Sequence, residues 1–218
     1  MSEETCISPA RVLRELVSAS AWEGLTGFPR RRHEAGAVLL RQGESGSHVL
    51  ALIQGIVKVV RGDLDGRDRL LAFRGPGEVL GEMAVRDGGV RLAHVQAVSR
   101  CEVSVIPASA FQGFVKQHGL ADQLFLHALS RLREQTQACE GEIDQRLAAA
   151  LLRLTEISGS RTFSLTREEL AQHLGVGRNS VTKALERFGP HQVRFGRTYI
   201  EVLDTMHLRR SLNHPAGT

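Results

Sequence analysis

The stretch TREELAQHLGVGRNSVTKALERFGP, residues 166–190, predicts two short helices joined by a glycine turn. Thr166 and Glu169 have the spacing of a capping box, in which each side chain binds the other residue's backbone N–H, so the first helix begins at Arg167. The sequence GVG at residues 175–177 forms the turn, because glycine adopts the conformation that ends a helix. Two helices connected in this way form a helix-turn-helix.

The second helix, residues 178–188, has an apolar side and a polar side. Arg178 can bind a guanine edge through two hydrogen bonds, and Asn179 can bind adenine in the same way. Hydroxyl groups and helix N-termini suit phosphates. The predicted DNA-binding residues are Thr166, Arg167, Arg178, Asn179, Ser180, Lys183 and Arg197.

A hairpin and a local excess of positive charge accompany this motif. Residues 193–203, VRFGRTYIEVL, predict two strands about Gly196-Arg197, which is the form of a wing. From residue 160 onward the chain carries nine Lys and Arg against five Asp and Glu, whereas the remainder carries nineteen of each. The alternative is a structural helical hairpin with a solvated basic face. Capping box, glycine turn, wing and charge together favour binding to double-stranded DNA.

The N-terminal half of the chain has a different pattern. Residues 30–106 contain short apolar runs separated by glycines, such as HVLALIQGIVKVV and EVSVIP, which predict an antiparallel sandwich or barrel. Before it, Ser8-Pro9 predicts the start of one helix that ends at Gly24 and Gly27. After it, residues 109–113 predict a short helix, and a long helix begins at residue 120.

The long helix carries an apolar heptad seam that could pack on its own domain or on a second copy of the chain. Because the β-region is long enough to close its own core, we expect a homodimer. The predicted dimer residues are Phe125, Leu129, Leu132, Thr136 and Cys139, and Ile143 continues the seam. Gly141 predicts a hinge over residues 139–144, and the next helix, IDQRLAAALLRLTEIS, ends at Gly159.

The stretch GEMAVRDGGVRLAHV, residues 81–95, places Glu82 nine positions before Arg91. A carboxylate accepts hydrogen bonds from ribose hydroxyls, and a guanidinium pairs with a phosphate. Two interpretations remain open at this point. One is a pocket for a ligand that carries hydroxyls and a negative charge, and the other is a surface turn with an ion pair.

From about residue 25 to 212, the chain resembles the cyclic-AMP receptor protein and fumarate–nitrate regulator (CRP/FNR) superfamily. The resemblance rests on the GE…R-x-A cassette, the long helix, the winged helix-turn-helix and the glycines Gly36, Gly43, Gly55 and Gly77. It implies an α+β fold with an antiparallel β-roll, a dimerisation helix and a C-terminal winged helix-turn-helix. The expected units are residues 1–118, 119–144 and 145–218.

The resemblance also implies an effector, a cyclic nucleotide such as cyclic AMP. In the family, residues matching Glu82 and Arg91 bind the ribose hydroxyl and the phosphate. The expected ligand-binding residues are Gly81, Glu82, Met83, Ala84, Arg91, Leu92, Ala93, Arg131, Gln135 and Thr136. Leu92 stands where family members usually have a serine, which removes a hydrogen bond to the phosphate. Asn179 and Lys183 also depart from the family's recognition helix, so the operator half-site should differ.

Other classes of protein are disfavoured. The sequence has three widely separated cysteines and no histidine pattern typical of a metal site, and no catalytic grouping stands out, so we expect no metal and no enzyme activity. The odd number and wide separation of the cysteines argue against a disulfide framework and predict a reducing cytoplasm, and no apolar run approaches membrane-spanning length. RNA polymerase is a further partner that the resemblance implies. The alternatives are a family member that binds DNA without nucleotide, one that senses redox state or another small molecule, and a β-roll enzyme with a helical appendage.

Overall fold

The computed structural model describes residues 12–62, 68–137 and 141–213, and the side chains of residues 132–137 and 213 are not described. The predicted helix start at Ser8-Pro9 and the predicted dimer residue Cys139 lie outside the described residues.

The N-terminal segment forms two helices, α1 (Leu13–Leu16) and α2 (Ala19–Thr26), so the prediction of one continuous helix was wrong. The backbone is extended at Val17 and Ser18. The Ser18 hydroxyl accepts a hydrogen bond from the Ala21 N–H at 3.2 Å and thereby starts α2 as its N-cap.

Eight strands form two four-stranded antiparallel sheets, with the orders β1-β8-β3-β6 and β2-β7-β4-β5. The strands are β1 (Arg30–His33), β2 (Val38–Leu40), β3 (His48–Gln54), β4 (Val57–Gly62), β5 (Asp68–Arg74), β6 (Val79–Leu80), β7 (His94–Ala97) and β8 (Cys101–Pro107). The predicted antiparallel β-region is therefore confirmed, and the two sheets together are called the roll below.

Strand β3 shows why several consecutive residues in this region are apolar. Val49 and Ala51 pack with the N-terminal helices, whereas Leu50 and Leu52 pack with residues of the facing sheet. Since successive side chains of a strand point to opposite faces, a strand covered on both sides needs apolar residues at every position. Two core clusters thus lie on either side of the same sheet.

Helix α3 (Glu82–Asp87) lies between β6 and β7. Gly81 before it and Gly88 after it have φ values of 81° and 70°, in the left-handed region that glycine adopts at low cost. These two glycines are the caps of α3 and limit the helix to residues 82–87.

Two helices follow the roll, α4 (Ala108–Gln117) and α5 (Ala121–Gln137). α4 is longer than the predicted residues 109–113, because Gly113 lies within the helix and does not end it. One side of α5 faces the roll through Leu124 and buried His127. The opposite side leaves Phe125 64% and Leu126 60% exposed.

The C-terminal region contains a winged helix-turn-helix. Its elements are α6 (Ile143–Ser158), β9 (Thr162–Phe163), α7 (Arg167–Leu174), α8 (Arg178–Phe188), β10 (Val193–Phe195), β11 (Ile200–Val202) and α9 (Thr205–Asn213). The predicted capping box, both helices of the motif and the hairpin are confirmed. Ile143 begins α6 and packs on the core of this region, so it does not continue the seam of α5.

No helix among the described residues is both long enough and apolar enough to cross a membrane.

Two glycines with open space around them should respond to alanine in opposite directions. Gly159 ends α6 with φ 63°, so Gly159→Ala should lower the free energy of unfolding by about 1 kcal/mol. Gly113 lies inside α4, so Gly113→Ala should raise it by about 0.5–1 kcal/mol. Urea unfolding of both variants checks the prediction, and a change of the same sign in both would contradict it.

Candidate functional site

Arg131 of α5 joins the long helix to the cassette of the roll. Its Nη1 lies 2.5 Å from Oε1 of Glu82, the first residue of α3, and its Nη2 lies 2.7 Å from Oε2 of Glu78. Nη2 also donates to the Val79 carbonyl at 3.3 Å. The resemblance implied that Arg131 faces a purine ring. In this structure its guanidinium bridges two carboxylates, and this contact holds α5 against β6 and α3.

Glu78 is the centre of a buried charged cluster. His127 Nε2 lies 3.3 Å from its Oε2, and Arg74 Nε lies 3.9 Å from its Oε1. Burial raises the pKa of the Glu78 carboxyl, but the His127 hydrogen bond and the Arg131 and Arg74 charges outweigh it and lower the pKa to about 2. Glu78 is therefore an anion at any physiological pH.

Sequence reasoning missed this cluster, although a signal was present. Arg74 and Glu78 flank the glycine turn GPG, and His127 and Arg131 are one helical turn apart on the side of α5 that faces the roll. Two basic residues at helical spacing on a buried side indicate a carboxylate partner across the interface.

Arg91 is buried, with 3% of its surface exposed. Its guanidinium donates to the Gly81 carbonyl at 2.5 Å and to the His48 carbonyl. Burial lowers the pKa of Arg91, and the Glu82 and Glu44 carboxylates act in the opposite direction. A side chain at position 81 would collide with this guanidinium, so glycine is needed there. Arg91 was expected to point at a phosphate, and here it points at backbone carbonyls.

The other expected ligand-binding residues surround this pair of interactions. Ala84 is buried, Ala93 is half-buried, and Met83 and Leu92 are exposed, Leu92 by 52%. Gln135 and Thr136 lie on α5, but their side chains are outside the described part of the structure. The charged groups of the cassette therefore already have partners. Exposed apolar side chains lie beside them.

The charged groups of the cassette are of the types that bind a ligand with ribose hydroxyls and a negative charge. In this structure, however, these groups are bound to other residues of the chain. Glu82 can accept from a hydroxyl and Arg91 can pair with an anion. Arg131 now holds the Glu82 carboxylate, and two carbonyls hold Arg91. A nucleotide that uses both residues has to compete with these contacts.

Helix α8 presents a polar face to solvent. Val181, Ala184 and Leu185 are fully buried against the rest of the motif. The residues expected to read DNA are all exposed, namely Arg178, Asn179, Ser180 and Lys183. The N-terminal half of the recognition helix is thus available to a groove of DNA.

The remaining expected DNA contacts lie beside α8. The Thr166 hydroxyl accepts from the Glu169 N–H at 3.1 Å as the cap of α7. The Arg167 guanidinium lies 5.5 Å above the ring of Phe195 in the wing. Arg197 is exposed in the hairpin turn. Arg187 is not available in the same way, because its Nε binds Asp144 Oδ2 at 2.8 Å and ties α8 to α6.

The expected dimer residues are only partly described. Phe125 is exposed and Leu129 is half-buried on α5. The side chains of Leu132 and Thr136 are outside the described residues, as is all of Cys139. Leu126, which sequence reasoning missed, extends the exposed apolar surface next to Phe125.

Within the part of the chain that the structure describes, no three His, Cys, Asp or Glu side chains are grouped so as to hold a metal ion.

Two family models match the chain. Residues 30–118 match the cyclic nucleotide-binding domain, and residues 145–211 match the Crp-like helix-turn-helix domain. The chain belongs to the CRP/FNR superfamily of transcription regulators. It is accordingly a DNA-binding transcription regulator with a cyclic nucleotide-binding domain.

Several CRP/FNR proteins are similar to it. The cyclic AMP receptor protein of Thermus thermophilus is 31% identical over 184 residues, which cover 82% of this chain and 85% of that protein. A CRP-like cAMP-activated global transcriptional regulator of Mycobacterium tuberculosis is 28% identical over 173 residues, covering 74% and 75%. The crystal structure of a CRP/FNR-family regulator of Thermus thermophilus has the same fold, with a TM-score of 0.66 at 24% identity over 85% of this chain and 99% of that one.

The buried carboxylate of Glu78 makes a pH-dependent contribution to stability. Its pKa is lowered to about 2 from an ordinary value of 4.5, so the contribution is complete above pH 4.5 and is lost as the pH falls towards 2. Glu78→Gln should lower the free energy of unfolding at pH 7 by about 3–5 kcal/mol, because it leaves buried cations without their counter-ion. It should also flatten the acid decline between pH 4.5 and 2.

Urea unfolding at a series of pH values measures both effects. Glu23→Gln, at an exposed position of α2, is the matched control and should follow the wild type. A Glu78→Gln variant with the wild-type acid decline would refute the assignment.

Proposed function

We propose that the protein is a homodimeric, sequence-specific transcription regulator whose binding to DNA is controlled by a small effector, a cyclic nucleotide such as cyclic AMP. The observation that carries the DNA half is the exposed polar face of α8, whose apolar side is fully buried in the winged domain. A rigid helix with its reading residues in solvent suits the major groove.

The side chains on that face have different roles. Arg178 reads a guanine edge, Asn179 reads adenine, and Ser180 and Lys183 bind phosphate or a neighbouring base. Arg197 in the hairpin turn binds the DNA backbone. These roles follow from donor and acceptor chemistry, and the operator sequence has to be found by experiment.

A second copy of the chain is the proposed occupant of the exposed surface on α5. Phe125 and Leu126 lie there on a helix whose other side is covered by the roll. Burying such side chains against a second copy is favourable by roughly 1.5–3 kcal/mol each. Two recognition helices in a two-fold dimer read half-sites about 34 Å apart.

The proposed control of DNA binding by an effector rests on Arg131. An effector whose hydroxyl donates a hydrogen bond to the Glu82 carboxylate competes with Arg131 for that carboxylate. Arg131 belongs to the same helix as Phe125. Binding in the cassette then alters the contact between α5 and the roll and shifts the population of DNA-binding conformations. Three functional units correspond to this scheme, at residues 1–118, 119–144 and 145–218.

A regulator that binds DNA without a nucleotide is the second candidate. Three observations favour it: Glu82 is already paired with Arg131, Arg91 is turned towards carbonyls, and Leu92 replaces a hydroxyl. A sensor of redox state or of another small molecule would share these features. In either case we propose that the protein acts on RNA polymerase at promoters in the cytoplasm, as its family does.

Arg178→Ala should weaken binding to a duplex selected from a random pool by the wild-type protein. The expected loss is about 1–3 kcal/mol, with relaxed specificity at one base position, because a bidentate contact is removed. Fluorescence anisotropy over a range of salt concentrations measures it. Arg69→Ala, an exposed arginine of β5, is the control. Equal affinity of Arg178→Ala and Arg69→Ala for the selected duplex would exclude Arg178 as a reader.

Leu92→Ser should strengthen the binding of cyclic AMP about tenfold or more, because it returns a hydroxyl that can bind an anionic phosphate. Leu92 is exposed, so the change should not disturb the fold, and Leu92→Ala is the matched control. Calorimetric titration with cyclic AMP and cyclic GMP gives the dissociation constants. Arg91→Ala, checked for folding by its melting curve, should abolish binding. No heat from either nucleotide with any variant would leave the nucleotide-independent regulator as the function.

A further inference from the structure

We infer that the β-roll holds the winged domain in the orientation that reads a two-fold operator, and that Lys58 of β4 is the residue that positions it. This inference rests on the proposed DNA-binding function. It concerns a contact between the roll and the winged domain of one chain, and neither the effector site nor the α5 surface includes this contact.

The central contact is an ion pair between Lys58 Nζ and Glu169 Oε1, whose side chains are only 14% and 22% exposed. The other carboxylate oxygen of Glu169 accepts from the Thr166 N–H at 2.8 Å and the Thr166 hydroxyl at 2.9 Å. Glu169 therefore caps α7 and binds the roll with the same carboxylate. Lys58 is fixed to the start of the helix-turn-helix.

Apolar contacts surround the ion pair. Ile56, Val60 and Leu70 of the roll belong to the same buried cluster as the core of the winged domain. The ring of Phe73 in β5 meets the ring of His173 edge-on, with centroids 5.3 Å apart and an angle of 66° between the planes. His173 lies one turn after Glu169, so the roll contacts α7 along one side.

Helix α6 takes part as well. A side chain at Gly75, directly after β5, would collide with the side chain of Ile157, which packs on the shared cluster. The roll and α6 therefore approach as closely as a glycine allows. Charge, aromatic and backbone contacts together define one orientation of the domain.

This contact leaves the DNA-reading face in solvent. Arg178, Asn179, Ser180 and Lys183 are exposed while Glu169 and His173 face the roll. A domain joined to the roll only through the segment at Gly141 would have to be oriented each time it binds. A docked domain has already lost that freedom, so a dimer can engage two half-sites at one fixed spacing.

The test uses the full-length protein and a near-palindromic duplex selected from a random pool by the wild type. Affinity is measured for this duplex, for versions with two extra base pairs between the half-sites, and for a single half-site. Lys58→Ala is compared with Lys116→Ala, an exposed lysine of α4. Gly75→Ala disturbs the same contact at a second point.

Lys58→Ala should bind the selected duplex about tenfold more weakly and should discriminate less against the altered spacing, while its affinity for a single half-site stays unchanged. Gly75→Ala should behave in the same way and Lys116→Ala like the wild type. Hydrogen exchange of the α7 amides should become faster in Lys58→Ala and in Gly75→Ala but not in Lys116→Ala, which reports the contact without DNA.

Equal losses on the full site and the half-site would mean that Lys58 acts on DNA or on folding, and would overturn the inference. Tighter binding by Lys58→Ala, or unchanged discrimination against spacing, would overturn it too. Failure of the wild type to select any sequence would instead defeat the proposed function, and the inference with it.

Discussion

The guanidinium of Arg131, held between the carboxylates of Glu78 and Glu82, is the interaction on which the arrangement of the roll depends. It connects α5 to a segment about fifty residues earlier in the chain, through Glu78 just before β6 and Glu82 at the start of α3. A buried charged network of this kind adds little net stability compared with apolar packing, but removing one member is costly. Its members therefore select one position of α5 against the sheet.

One residue of the winged domain, Glu169, takes part in both a local and a long-range contact. Glu169 starts α7 by completing the capping box, and the same carboxylate meets Lys58. Burial raises the pKa of Glu169, but the contacts of Lys58 and Thr166 outweigh it, so the net shift is downward and the group stays charged. Local helix initiation and the contact between domains are thus coupled through one residue.

Sequence reasoning succeeded where the determining interactions are local. The bounds of α7 and α8 follow from Thr166, Glu169 and the glycine turn, all within a few residues of one another. It failed at Ser18, a cap that interrupts an apparently continuous helical pattern. Lys58 with Glu169 was missed because the partners are 111 residues apart and no pattern connects them. Glu78 and Arg131 are 53 residues apart, and the helical spacing of His127 and Arg131 predicts a partner for α5 without saying which residue it is. The expected direction of Arg91 came from family resemblance, and the carbonyls that it binds here carry no sequence signature.

The pairing of β7 with β4 has a consequence for how each subunit of the proposed homodimer would respond to an effector. Gln96 lies opposite Lys58 and His94 lies opposite Val60, and β7 begins three residues after Arg91. A displacement at Arg91 would pass across two bonded strands to the winged domain of the same subunit. In the homodimer proposed above, this route stays within one subunit, so the part of the response that it carries would follow a graded dose–response curve and not a steep threshold.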